Sequence, residues 1–454
     1  MPTAIRRYIR SLGLDAYVVG GAVRDELLGI EHADEDFLVP GVDQAALRAA
    51  LAPHGRVEDM EVHGQLVGVR FYPRDREVRR LVPAGIELTP PRAERSTGPG
   101  HRDFAIVADP SVSIEDDMAR RDFTVNAMAR RLETGELVDP FGGLGDLEAR
   151  QLRTVSPESF REDPLRILRG LRLLSQLSFS LPPETVERMR AEASGLRHVS
   201  RERIGGGLAA DGMGELSKLL LGTRPRDALR IARDTGALVE ILPEYRPAIG
   251  YDLGTPRQPV ALDEHLFGVV QNAADAAAPL AVRLAALLHD LGKPEADESG
   301  ADHAQVGARI AGRVLRRLRY PNTLREEVVR LVAAHAFRLE GPIDEVFARR
   351  FLASHGLDAA RLVVAHKRAD LGAKHVEPWE LEHLETLARL LEEQRDSPHR
   401  LEDLAVDGHD LISIGYREGP ALGAELARLL DAVVDDPATN EREALLQLAG
   451  EALA

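Results

Sequence analysis

Two acidic residues two positions apart, Asp34 and Asp36 in the run Ala33-Asp34-Glu35-Asp36-Phe37-Leu38-Val39, offer the first chemistry in this chain. At the start of a strand, positions i and i+2 share a face, so both carboxylates converge while Glu35 faces away. Such a pair suits Mg²⁺, which bridges a nucleoside triphosphate, activates an attacking hydroxyl and neutralises leaving pyrophosphate. Taken alone, the same spacing also describes a solvated acidic turn. Just upstream lies Gly20-Gly21-Ala22-Val23-Arg24-Asp25, between an apolar strand-like run and a helical segment. Gly20 and Gly21 let backbone N–H groups approach phosphate oxygens, and Arg24 supplies charge.

A second constellation lies far downstream: Glu264-His265, then Leu287-Leu288-His289-Asp290-Leu291-Gly292-Lys293, His303, His335 and Asp370. A His-Asp doublet inside an apolar helix is costly to bury alone, and a metal is its natural partner. The chain has no Cys. Disulfides, zinc–thiolate sites and thiol nucleophiles are therefore excluded, and any metal must use His and carboxylate ligands.

The segment Glu162-Asp163-Pro164-Leu165-Arg166-Ile167-Leu168-Arg169 reads as helical. Three apart on a helix, Asp163 and Arg166 stand side by side. Together they offer acceptors and a planar donor fork, which can address the Watson–Crick edge of cytosine or, after a small shift, adenine. The plainer alternative is a surface salt bridge contributing about 0.3–0.5 kcal/mol.

The elements that must carry these residues change character along the chain. Residues 1–150 mix short apolar runs with Gly and Pro punctuation, which predicts α/β structure, and from Ser156 onward apolar residues recur at three- and four-residue spacing. The expected fold class is α+β, a mixed-sheet head followed by all-helical segments. Pro-bearing breaks near Leu181-Pro182-Pro183, Pro243 and Thr255-Pro256 mark linkers, and the polar, Gly/Pro-rich stretch 90–110 reads as a loop. The expected division is 1–150, 151–255, 256–376 and 377–454. At 454 residues, several domains are expected.

The formal net charge of −16 runs against the basic footprint of phosphate binding. Only four of the 58 basic residues are Lys, however, and Arg is the better partner for phosphates and base edges. A GC-rich genome gives the same bias, so composition is neutral on RNA. No apolar leader and no run of about 18 uncharged apolar residues occurs, which leads us to expect a cytoplasmic protein with no membrane partner.

In order and spacing, Gly20 to Asp25, Asp34/Asp36, Arg120-Arg121-Asp122-Phe123-Thr124-Val125-Asn126-Ala127-Met128-Ala129, Asp139-Pro140-Phe141-Gly142-Gly143, Asp146-Leu147 and Glu162 to Arg169 resemble the head of class II nucleotidyltransferases, the CCA-adding enzymes and bacterial poly(A) polymerases. The resemblance implies a polymerase-β-like head, with Asp34 and Asp36 as catalytic Mg²⁺ ligands. It gives Arg120 or Arg121 the triphosphate, Asp122 or Asn126 the ribose 2′-hydroxyl, and Asp163, Arg166 and Arg169 the nucleobase. It implies tRNA, CTP and ATP as partners and CCA addition with release of pyrophosphate. Glu87 is a candidate third acidic group, and the polar stretch around Arg92, Glu94 and Arg95 matches the family's flexible loop implied in switching from C to A, which favours complete CCA over CC-only addition, with A-only addition a further alternative. The downstream constellation resembles HD phosphohydrolases: His265, His289, Asp290 and Asp370 as primary ligands of a divalent metal, with His303 and His335 for a second metal or a substrate phosphate. That site implies attack on a phosphoester such as a 2′,3′-cyclic phosphate or a mononucleotide. The stretches Asp403 to Leu411 and Glu418 to Gly423 resemble the tail of CCA-adding enzymes with an HD module. Poly(A) polymerase is the rival within the family, disfavoured by the acidic balance and the lack of a basic C-terminal extension. A rival of another class is an HD hydrolase whose head only binds RNA.

Overall fold

A computed structural model describes residues 2–31, 35–62, 65–96, 104–107, 110–206 and 213–453. The chain divides into two units, Met1–Pro243 and Glu244–Ala454.

In the first unit the described strands are β1 (Tyr17–Val19), β2 (Asp36–Leu38), β3 (Gly55–Val62), β4 (Gln65–Pro73), β5 (Ile86–Thr89), β6 (Ala93–Ser96), β7 (Phe104–Val107), β8 (Ala129–Arg131) and β9 (Leu137–Val138). Seven of them form one mixed sheet in the order β3-β4-β5-β2-β1-β8-β9. Val18, Val19, Phe37 and Leu38 are all buried, so the apolar runs supply its centre. Register then decides what meets at the sheet's end. β1 runs antiparallel to β2 with Val19 opposite Asp36, and antiparallel to β8 with Val19 opposite Ala129. Gly20, Asp36 and the segment preceding Ala129 therefore share one end of the sheet.

β6 and β7 pair antiparallel as a separate ribbon. The loop expected over 90–110 is thus partly strand, because the apolar run Phe104–Val107 holds β structure despite its Gly/Pro flanks. Residues 97–103, within that stretch, lie outside the described residues, as does Asp34.

Beyond the sheet the first unit is helical. Helix Leu165–Leu177 buries Ile167, Leu168, Leu171 and Leu174 along one stripe. A Cβ on Gly170 would come within 2.6 Å of the Phe123 ring, so this glycine lets the helix close on the segment carrying Asp122. Asp163 does not lie on that helix. It adopts an extended conformation (φ −138°, ψ 99°) between helix Ser159–Glu162 and Pro164, since the residue before proline avoids the helical region. The shared helical face expected for Asp163 and Arg166 is therefore a helix end joined to the next helix's first turn.

In the second unit every described α-element is helical, beginning with Leu262–Asp275, Leu280–Leu288, Lys293–Ser299, His303–Arg317, Asn322–Ala334, Glu345–His355 and Leu357–Leu371. Its last helices close a separate small core of Val406, Leu411, Leu429, Val433, Leu445 and Ala449. The α+β class is thus the observed one. Among the described residues no helix is long and apolar enough to cross a membrane.

Candidate functional site

A cavity of about 400 Å³ opens at the sheet end where the three motifs meet, lined by Gly21, Arg24, Asp36, Arg92, Arg120, Arg121, Asp122, Asn126, Asp163, Arg166, Arg169, Arg172 and Arg203. Gly20 lies at its root, with φ 73° and its N–H donated to Met128 O at 3.1 Å. A Cβ there would meet Arg121 Nη1 at 2.4 Å, so only glycine fits both the turn and the arginine. Asp36 is exposed at the start of β2, whereas Glu35 turns inward, 1% exposed, onto Arg6 at 2.6 Å. That alternation directs Asp36 into the cavity. Glu87 stands beside Asp36 across the parallel β2–β5 register and is ion-paired with Arg70 on β4.

The cationic wall is held in place by three buried acids. Asp117, fully buried, accepts from Arg120 Nε (3.0 Å) and Nη2 (2.8 Å), from Arg121 Nη2 (3.1 Å) and from the Arg92 backbone N–H (3.3 Å). Asp122 accepts from Arg169 Nε (2.7 Å), Asn126 Nδ2 (3.0 Å) and its neighbour's N–H, while Asn126 Oδ1 accepts from Arg24 Nη1 (2.6 Å). Burial by itself would raise the Asp122 carboxyl; Arg169 and Asn126 outweigh it and hold it well below the usual carboxylate range. Glu215, 8% exposed, takes Arg172 at 3.2 Å and lies 3.8 Å from Arg169. Arg166, also 8% exposed, donates Nη1 to Ser159 O (3.2 Å) and Glu162 (3.0 Å), and Nη2 to the backbone carbonyl of Arg120. Asp163 accepts the Leu165 N–H at 3.0 Å and faces Arg203 at 3.5 Å, so it is not spent on Arg166. The fixed fork and the nearby carboxylate can present donors and acceptors to a base edge.

Asp117, Arg172, Arg203 and Glu215 were not singled out in the sequence. Asp117 carried a signal, lying three and four residues before the Arg pair on a short helix. Glu215 carried none, since its partners are distant in the chain.

In the second unit the histidines and aspartates gather from different helices. His265, His289, Asp290 and Asp370 are each at most 1% exposed, and His335 is 4% exposed. His265 Nε2 lies 3.2 Å from Asp370 Oδ1, and His289 Nε2 lies 3.3 Å from Asp290 Oδ2 and 3.5 Å from Asp370 Oδ1. On the other oxygen of Asp290, His335 Nε2 stands at 3.3 Å and His303 Nε2 at 3.8 Å. His289 and His335 each turn Nδ1 to a carbonyl three residues back, at 3.1 and 2.6 Å, which aims Nε2 at the cluster. A Cβ on Gly292 would meet His303 O at 2.4 Å, so that glycine lets the helix carrying His303 approach.

The residues fit a metal. Two groups, His265/His289/Asp290 and Asp290/His303/His335, bring their ligand atoms within 4.8 Å of one another. His265 Nε2, His289 Nε2 and Asp290 Oδ1 are buried without a hydrogen bond, a costly state that a cation relieves. The sequence reading missed His366, 1% exposed, with its ring centroid 4.9 Å from that of His289 and both nitrogens unpartnered. Its place four residues before Asp370 on helix Leu357–Leu371 was the available signal.

Family models match three parts of the chain: a poly A polymerase head domain over residues 16–153, a probable RNA and SrmB-binding site of polymerase A over 178–249, and an HD domain over 262–431. A multifunctional CCA protein of Xanthomonas campestris pv. campestris (strain B100) is 34% identical over 439 residues, covering 90% of this chain and 96% of that one. One of Azoarcus sp. (strain BH72) is 36% identical over 336 residues, covering 72% and 75%. Among solved structures, the Bacillus stearothermophilus CCA-adding enzyme in complex with CTP superposes with a TM-score of 0.69 at 27% identity, covering 99% of this chain and 96% of that one.

Proposed function

This chain belongs to the family of multifunctional CCA proteins, and on that footing we propose how its two sites divide the work. The protein is a tRNA nucleotidyltransferase that adds the 3′-terminal CCA from CTP and ATP without a template, releasing pyrophosphate. The observation that carries the site assignment is the meeting of Asp36, the Gly20–Gly21 turn, the paired arginines and the Asp163–Arg166 reader around one cavity. In this reading Asp34 and Asp36 hold Mg²⁺, which would supply charge neutralisation and activation of the attacking 3′-hydroxyl. Glu87, beside Asp36, is a third acidic group at that point. Arg24, Arg120 and Arg121 bind the triphosphate, Asp122 and Asn126 face the ribose, and Asp163 and Arg166, backed by Arg169, read the base. The protein thereby takes the place of a template. The head spans 1–150, the base-reading and tRNA-binding helices 151–255, the HD module 256–376 and the tail 377–454.

The second site holds a divalent metal on His265, His289, Asp290 and Asp370. Asp290 offers its two oxygens to opposite groups, which favours a further cation on His303 and His335. A metal bound there supplies a hydroxide nucleophile at neutral pH, and the site acts as a phosphoester hydrolase.

The test supplies a tRNA ending at its discriminator base with CTP, ATP or both. Two cytidines with CTP alone and three residues with both nucleotides are expected. Adenylation that ignores CTP would instead identify a poly(A) polymerase. Asp34→Ala and Asp36→Ala should each abolish incorporation while leaving the unfolding transition in place, and undiminished incorporation in either would exclude the metal assignment.

A further inference from the structure

One edge of the head's sheet carries basic charge that neither site above uses. From Arg70 to Arg80 stand five arginines against Asp75 and Glu77, in a chain whose formal charge is −16. Three arginines converge with Tyr72 on a cavity of about 300 Å³: Arg56 on β3, and Arg74 and Arg79 beyond β4. Arg56 and Tyr72 face each other in the β3–β4 register, and the Arg56 guanidinium lies 4.1 Å from the centre of the Tyr72 ring. A Cβ on Gly55 would meet Tyr72 O at 2.2 Å, so glycine lets the two strands close at this point. Glu58 pairs with Arg56 at 2.5 Å, and Asp75 accepts the backbone N–H groups of Glu77 and Val78 at the start of helix Arg76–Leu81. Arg74 donates to Pro53 O at 3.0 Å, and among the described residues neither Arg74 nor Arg79 meets a carboxylate.

Sheet register fixes where this cavity lies. Asp36 stands opposite Glu87 on β5, Glu87 opposite Arg70 on β4, and Arg70 opposite Glu58 on β3. Arg56 and Tyr72 come two residues past that row, toward the end where β2 begins. The cavity thus shares the sheet end of Asp36, three strands across, or about 14 Å at ~4.8 Å per strand. A stacked nucleic-acid strand carries one phosphate per ~3.4 Å, so the span is about four nucleotides. Guanidinium forks match phosphate oxygens two at a time. A nucleobase would find little room to stack, because Arg56 lies over the Tyr72 ring and Gly85 packs against it. We propose that this pocket holds a backbone phosphate in the acceptor strand of the substrate tRNA, about four nucleotides back from the 3′ end at Asp36. It reads charge and not base, so it accepts any tRNA.

The inference rests on the polymerase reading only for the place of the 3′ end. Full-length Arg79→Gln and Arg74→Gln proteins are titrated with labelled tRNA ending at its discriminator base, without nucleotide, between about 50 and 200 mM KCl. Each substitution should raise Kd about three- to tenfold. It should also lower the slope of log Kd against log salt by about 0.7–0.9, the signature of one lost phosphate contact. Arg79 is exposed, so its replacement should leave the urea midpoint in place and carries the test if Arg74→Gln disturbs the strand end. Neutral methylphosphonate linkages, placed singly along the acceptor strand, locate the contact: the one at the pocket should weaken binding by the parent protein and add nothing in Arg79→Gln. Calorimetry with CTP and with inorganic phosphate covers a free anion as the occupant, and CTP affinity should be the same in Arg79→Gln. An unchanged tRNA Kd and salt slope in Arg79→Gln overturns the assignment, as does coupling only to linkages outside the acceptor strand. So does loss of a phosphate-binding event while tRNA binding persists. Binding is read without turnover, so failure of Asp36 as a metal ligand and failure of this contact give separate results.

Discussion

Replacing Asp117 by Asn keeps the side chain's shape and takes away the charge that aligns two arginines. The carboxylate is fully buried and receives three guanidinium N–H bonds, at 2.8, 3.0 and 3.1 Å. Bonds to a charged group contribute about 1.5–3 kcal/mol each, roughly twice the neutral figure. Asn retains one acceptor oxygen but turns an amide N–H₂ toward the other guanidinium, so at least one arginine loses its partner outright. Both arginine side chains remain about one-fifth exposed and partly hydrated, which keeps the net loss near 2–3 kcal/mol rather than the ~3–5 kcal/mol of a fully buried broken pair. If Arg120 and Arg121 meet the triphosphate, the loss falls on both nucleotides alike. At a factor of ten per ~1.4 kcal/mol, kcat/KM for CTP and for ATP should each drop by about 30- to 150-fold. Single-nucleotide extension of tRNA ending at the discriminator base and at the second cytidine measures the two values, and urea denaturation measures stability. The acid limb gives an independent check. Burial tends to raise the Asp117 carboxyl, but Arg120 and Arg121 lower it below its ordinary 3.8. A depressed folded-state pKa gives stability that is present above 3.8 and lost as pH falls through the lower value, so Asp117→Asn should flatten the stability curve below about pH 4. Values of kcat/KM within twofold of the parent for both nucleotides, alongside a lowered urea midpoint, would reduce Asp117 to a fold-holding role and refute the reasoning.

Two further substitutions probe the proposed base reader and the proposed metal cluster. Lysine in place of Arg166 cannot bond Ser159 O, Glu162 and the Arg120 carbonyl together, so discrimination among nucleotides should fall at least about tenfold; misincorporation of UTP and GTP reads this, and unaltered selectivity would remove Arg166 from base reading. His366→Phe keeps an aromatic ring and deletes two unpartnered nitrogens, so the Mn²⁺ Kd should rise about tenfold; unchanged calorimetry would assign His366 to packing.

What the sequence made legible was chemistry carried by neighbours in the chain. The Gly20–Gly21 turn, Asp36 and the segment Arg120–Asn126 each announce themselves locally, and a sheet register of a few residues is enough to bring them together. Asp163 shows where spacing misleads. Its three-residue distance from Arg166 fits a helix face, yet Pro164 forbids the helix at that point and makes Asp163 a cap for the next one. The described part of the 90–110 stretch errs in the other direction, since Gly and Pro at its margins hid two paired strands. Glu215 was out of reach, because its arginines lie more than a dozen residues away on another helix.

The formal charge of −16 gave no clue to a phosphate site, and the reason is local. Around the first cavity every buried acid is committed: Asp117 to two arginines, Asp122 to Arg169 and Asn126, Glu215 to Arg172. Each acid cancels part of the charge of the cation it orients, yet the lining still counts eight arginines against three carboxylates, one of them Asp36. Low-dielectric walls focus that surplus into the cavity. The same logic runs in the second unit with the sign of commitment reversed. There the cations Lys293 and Lys374 rest on the carboxylates Asp290 and Asp370. A bulk count averages both arrangements to a negative number, and only the pairing of each acid with its cation reveals where positive potential survives.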